Sequence, residues 1–181
     1  MPRSPFKILD KTLRSTGAES AELQRDIWNN LPEPRQLTID KMTNALPSDL
    51  IEAFTETHYI VHHEPPFTMN IGVFCPDLEK LMAERKALCA AFITAWNPFA
   101  QQLSDTENKA RQHTMKASLS QRGLAFIDGI GQHPGNGWPG EPSVLILDMG
   151  REAAKTLAGQ YEQWAFVWAD QTAVPTLMQP D

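Results

Sequence analysis

Cysteine is nearly absent. The 181 residues hold only Cys75 and Cys89, too few for a disulfide framework, and neither has the C-x-x-C partner that a structural zinc site uses. Two free thiols fit a reducing compartment. No apolar run approaches the ~18 residues of a membrane-spanning helix. The opening Met1-Pro2-Arg3-Ser4-Pro5-Phe6-Lys7 also lacks the apolar centre of a secretion signal. Positive charge is the minority sign, 16 Lys and Arg against 22 Asp and Glu, and it forms no stripe, which disfavours capture of duplex nucleic acid. There is no Gly-Lys-Ser/Thr phosphate loop, no His-Glu-x-x-His pair, and no nucleophile elbow around Ser143. His58 and His62 would share a strand face but stand ~13 Å apart, too far to hold one metal. The expectation is a soluble, cytoplasmic protein without membrane, duplex nucleic acid, cofactor or metal.

What is present is ordinary globular material, 41% apolar and 21% charged, enough for one domain with an extension. Residues 1–47 read as a helical preface: Leu23, Ile27 and Leu31 recur at helical spacing before Pro32 and Pro34 break the pattern. The remainder, 48–181, reads as a single α+β domain. A helix starts at Pro47-Ser48-Asp49, and a hairpin follows through 57–62 and 67–73, where Phe67, Met69, Ile71 and Val73 alternate with polar residues. A short helix opens at Pro76-Asp77. Residues 88–95 are nearly all apolar, as in a strand buried on both faces.

From that strand onward the order reads β-α-β-β-α-β. A helix over 105–121 stops before Gly123, strands lie at 124–127 and 144–147, an amphipathic helix covers 151–163, and a closing strand covers 165–168. That order predicts a ferredoxin-like antiparallel sheet with both helices on one face, extended by the N-terminal hairpin. Gly129-x-Gly131 joins two strands and opens no helix, so it is not a dinucleotide fingerprint. The segment 129–140 reads as a long Gly- and Pro-rich connection.

The most informative stretch is Thr94-Ala95-Trp96-Asn97-Pro98, where a buried strand ends in a polar corner. It leads to Ser104-x-x-Glu107, a capping box that starts the 105–121 helix. Asn108 and Arg111 lie near that helix start, in line with apolar Met115 and Leu119. A helix N-terminus attracts negative charge, and Arg offers a fork of donors, so the pair suggests an anion site. The alternative is structural: Arg111 neutralises a carboxylate such as Asp128, and Asn108 ties down the loop. Glu141, if partly buried, would suit general acid–base work.

Ile93-Thr94-Ala95-Trp96-Asn97-Pro98, Glu107-Asn108, Arg111, Gly129-x-Gly131, Trp138, Glu141-x-Ser143 and Gln163-x-Ala165 occur here in one order. Over roughly residues 50–170 this series resembles a bacterial family of small proteins known only as a domain of unknown function. The resemblance implies a shared fold and site, and it singles out Thr94, Asn97, Asn108, Arg111, Glu141 and Gln163, but it carries no activity. With Trp138, these residues would line a polar pocket for a small anionic or nucleotide-like ligand. Two other readings compete. One is a protein-interaction module built on the N-terminal helices and the 129–140 loop, with the N-terminal helices also able to form a homo-oligomer. The other is a hydrolase using Glu141.

Overall fold

Residues 90–94 alternate between two directions and are buried in both, so this segment must be sandwiched. In the computed structural model, which describes residues 46–135 and 137–180, it is strand β3 (Ala90–Thr94) of a seven-stranded sheet. The chain enters through α1 (Ser48–Glu56), β1 (His58–Val61), β2 (Phe67–Met69) and α2 (Pro76–Arg85). After β3 come a 3₁₀ turn (Pro98–Ala100), α3 (Asp105–Gln121), β4 (Phe126–Gln132) and β5 (Glu141–Leu147). α4 (Arg151–Gln160), β6 (Phe166–Ala169) and β7 (Thr176–Met178) complete it. Strand order is β2-β1-β4-β5-β3-β6-β7, with every pair antiparallel.

The ferredoxin-like expectation is corrected here. That arrangement leaves one face of a four-stranded sheet without helices, whereas both faces of this sheet are packed. Ala91, Ile93, Val144 and Ile146 face Met115 and Leu119 of α3 and Ala154, Leu157 and Ala158 of α4. On the other face Phe92, Leu145, Leu147 and Val167 pack with Leu78, Leu81 and Met82 of α2. The apolar stripe of α2 needs a surface, and it takes the face that a ferredoxin-like sheet would leave open. The β1–β2 hairpin adds to one edge and β7 to the other. Twisted strands in such number do not stay flat, and the sheet curls into an antiparallel half-barrel accompanied, among the described residues, by four α-helices.

Local chemistry explains the boundaries. Ser104 caps α3 by accepting from the Glu107 N–H at 3.3 Å, while the Glu107 carboxylate accepts from the Ser104 N–H at 3.1 Å. α3 is mostly polar, so its docking rests on a thin stripe: Met115 and Leu119 are fully buried, each worth roughly 1.5–3 kcal/mol. The strand expected over 67–73 stops at Met69, because Gly72 turns the chain at a φ of 75°. There the Gly72 N–H donates to Pro175 O at 2.8 Å, and the Cys75 N–H donates to Ala173 O at 2.9 Å. Segments beside the two opposite edges of the sheet are thus bonded to each other.

Cys75 and Cys89 are both free and buried, and burial pushes both thiols above their ordinary pKa. Among the described residues, no helix is long and apolar enough to cross a membrane. The helical preface expected over 1–47, with the self-association assigned to it, lies outside the described residues except for Leu46 and Pro47. Leu46 packs with Leu50, Trp164 and Ala165.

Candidate functional site

Register builds the site. Tyr59 of β1 sits opposite Gly131 of β4, and Gly131 sits opposite Glu141 of β5. The middle position of that row has no side chain, so space opens between the phenol and the carboxyl. Two residues along, Gly129 plays a different part: a Cβ there would lie 2.5 Å from Ile60 O and 2.7 Å from the Phe92 ring. Only glycine lets Phe92 cross β4 at that point. The result is a cavity of about 110 Å³ on the sheet face that α2 also covers, roofed by Leu50, Ala53 and Phe54 of α1. For comparison, a cavity of ~150 Å³ binds benzene, so this one has room for several waters or a compact organic molecule.

The walls are chiefly aromatic and aliphatic, with Phe54, Tyr59, Phe92, Trp138, Trp164 and Phe166 among them. Against them stands Glu141. Its Oε1 accepts from Asn97 Nδ2 at 2.6 Å and from the Trp138 indole N–H at 3.0 Å. Its Oε2 accepts no hydrogen bond among the described residues. Burial raises the carboxyl above its ordinary pKa, and the bonds from Asn97 and Trp138 only partly offset this. Tyr59 is raised as well, first by burial and then by the charge of Glu141; its hydroxyl donates to Phe54 O at 2.7 Å. His133 also lines the cavity, its Nε2 3.1 Å from a Glu56 carboxylate oxygen and its Nδ1 accepting from the Gly135 N–H at 3.0 Å. No Lys or Arg lines the cavity among the described residues.

The polar corner holds Glu141 in place. Asn97 adopts a left-handed backbone, φ 44°, a conformation that asparagine tolerates better than most residues. Phe99 and Ala100 do so as well, at φ 51° and 57°, and for these two the conformation costs on the order of 1–2 kcal/mol each. The bonds around them hold the corner in this shape. Thr94 Oγ1 donates to Pro142 O at 2.8 Å and accepts from the Trp96 N–H at 3.0 Å. Asn97 Oδ1 accepts from Asn108 Nδ2 at 2.8 Å and from the Leu103 N–H at 3.2 Å. Gln163 Nε2 donates to Trp96 O at 2.9 Å, and the Phe99 N–H donates to Glu162 O at 2.7 Å.

Of the residues singled out from the sequence, Thr94, Asn97, Trp138, Glu141 and Gln163 line the cavity, while Asn108 and Arg111 stand behind it. Arg111 is occupied. Its Nε donates to Ala95 O at 2.9 Å, Nη2 to Tyr161 O at 2.8 Å, and Nη1 pairs with Glu162 at 3.3 Å. Asp128, its conceivable carboxylate partner, pairs instead with Lys116. The buried stripe of α3 runs Asn108, Gln112, Met115, Leu119, so Gln112 holds the inward position that the sequence reading gave to Arg111. Gln112 Oε1 accepts from the Ala95 N–H at 3.0 Å. Its spacing of four from Asn108 and three from Met115 was the available signal. Tyr59, His133 and Ser143 are further lining residues, and only the strand register brings them in.

Among the described residues no three His, Cys, Asp or Glu side chains gather as a metal set. Ser143 Oγ donates to Glu141 O at 2.9 Å, away from the carboxylate.

Residues 93–166 match the model of a family described as a protein of unknown function (DUF3293). The match runs from within β3 to the start of β6, so it takes in the polar corner, α3, Glu141 and Gln163 but leaves out α1, β1 and β2. No curated protein and no solved structure matches the chain.

Proposed function

We propose that the protein binds a small organic ligand in the cavity beside Glu141. One observation carries this reading: a buried carboxyl group, bonded on Oε1 alone by Asn97 and Trp138, lines a space walled by aromatic rings. A carboxyl group in apolar surroundings costs stability, and such costs recur at sites kept for function. Three left-handed non-glycine residues within the adjoining corner have the same character.

The anionic or nucleotide-like ligand suggested by Arg111 loses its support. The donors of Arg111 are engaged by carbonyls, and the group that lines the cavity is an acid, Glu141, with no Lys or Arg beside it among the described residues. A volume near 110 Å³ also suits a molecule smaller than a nucleotide. An interaction loop at 129–140 finds little support either, since β4 runs to Gln132 and Trp138 turns inward to Glu141. Hydrolysis by Glu141 finds no activated nucleophile among the described lining residues, since the Ser143 hydroxyl donates to Glu141 O and not to a base.

Gly131→Leu tests the reading, because Gly131 lines the cavity and a Cβ there meets nothing closer than 3.7 Å. Small organic fragments should shift the Trp138 indole N–H resonance of the wild-type protein, and the leucine should abolish those shifts. Shifts that survive in a folded Gly131→Leu protein would place binding elsewhere and overturn the proposal.

A further inference from the structure

Glu141 lines the cavity with Tyr59 and His133 as the other titratable groups, and among the described residues no lysine or arginine lines it. Each alternative ligand class meets an obstacle. An anion would face the carboxylate directly. A neutral apolar molecule would fill the space but leave Oε2 without a donor. A ligand carrying N–H groups and positive charge would answer both needs, because an ammonium beside the buried carboxyl favours its ionised form and donates to the oxygen so exposed.

The walls point the same way. Aromatic faces attract cations through their ring quadrupoles, more strongly where water is excluded. Phe54, Tyr59, Phe92, Trp138, Trp164 and Phe166 all contribute to this one cavity. Such rings would gain little from recognising a carboxylate or a sugar hydroxyl. They serve well for the carbon body and the charged head of an amine. The indole N–H of Trp138, directed at Oε1, leaves Oε2 for the ligand.

Resting on the ligand-binding reading above, we propose that the cavity selects a compact organic cation, a primary or secondary amine whose ammonium meets Glu141 Oε2 and whose hydrocarbon part lies against the aromatic walls. Glu141 is then the specificity-determining residue, with Asn97 and Trp138 as the groups that aim it.

The test compares three probes of nearly equal size, isobutylamine, isobutanol and isobutyrate, titrated into the full chain at neutral pH and followed at the Trp138 indole N–H. The amine should bind at least about ten-fold more tightly than the alcohol, equivalent to ~1.4 kcal/mol, and isobutyrate should bind most weakly. Glu141→Gln keeps an oxygen for Asn97 and Trp138 but removes the charge, so it should bring the amine down to the affinity of the alcohol. Equal or tighter binding of isobutanol by the wild-type protein would overturn the cation inference while leaving ligand binding intact. An amine preference that persists in a folded Glu141→Gln protein would overturn it as well. Failure of all three probes to move the resonance would overturn both readings together.

Discussion

Asn97 and Asn108 hydrogen-bond each other twice: the Asn97 N–H donates to Asn108 Oδ1 at 2.9 Å, and Asn108 Nδ2 donates back to Asn97 Oδ1 at 2.8 Å. The pair welds the first turn of α3 to the strand-end corner and sets the direction from which Asn97 approaches Glu141. Asn108 is 2% exposed, so water cannot replace either bond. Asn108→Leu should strand the Asn97 N–H and cost about 1–3 kcal/mol, the penalty of one unsatisfied buried group. Urea denaturation of the two proteins measures it.

Arg111 should behave as a clamp between two chain segments. Arg111→Met keeps much of the side-chain bulk but takes the guanidinium donor from Ala95 O and leaves Tyr161 O with Gln163 Nε2 alone, at 3.1 Å. The expected loss is about 1–3 kcal/mol, with little of it from the part-exposed pair with Glu162. Arg111→Lys should recover only part, since one ammonium cannot span both carbonyls. Melting temperatures of the three proteins order them. Equal stability of Arg111→Met and wild type would rule out the clamp.

The carboxyl of Glu141 makes stability depend on pH in a defined direction. Its folded pKa is raised above the ordinary 4.5, so the native state holds the proton more tightly than the unfolded chain. That contribution is fully present below about pH 4.5 and is lost as pH rises through the folded value. Glu141→Gln removes the dependence. The variant should therefore gain stability relative to wild type as pH rises from 4 to 8, with the difference smallest at the acid end. A difference that does not vary over this range would contradict the burial.

The two glycines of Gly129-x-Gly131 should respond oppositely to alanine. At Gly129 the added methyl collides with the backbone oxygen of Ile60 and with Phe92, and neither can move away cheaply. A loss near ~3 kcal/mol is expected, at the upper end for overpacking. At Gly131 the nearest atom is Thr57 Cγ2 at 3.7 Å, so Gly131→Ala should stay within about 0.5 kcal/mol of wild type. Chemical denaturation of both variants separates the glycine required by close packing from the glycine that leaves room.

Much of the secondary structure was legible because its signals are local. The 105–121 helix announces itself through its capping box and Gly123, and apolar runs mark β3 and β5. The polar corner was legible for a related reason, since Thr94 and Asn97 end an apolar strand without serving its core. Other features depend on partners far along the chain. The bonds of Arg111 to the carbonyls of Ala95 and Tyr161 leave no trace in its neighbours, because main-chain acceptors occur at every residue. The cavity walls were hidden too: Phe54, Tyr59 and Phe92 look like core until register places Gly131 among them. β7 escaped because three residues after Pro175 are too few to show alternation. The two-faced sheet was missed because the stripe of α2 shows that it must dock but not on which side.

The bonds from Gly72 to Pro175 and from Cys75 to Ala173 give the curled sheet a fastener. They join the segment following one rim strand to the segment preceding the other, across about three-quarters of the described chain. A pull on the C-terminal strand is therefore transmitted to the β1–β2 hairpin without passing through the five strands between. The two rims should loosen as one unit, so the amide protons of Gly72 and Cys75 would exchange with solvent in step with those of β7.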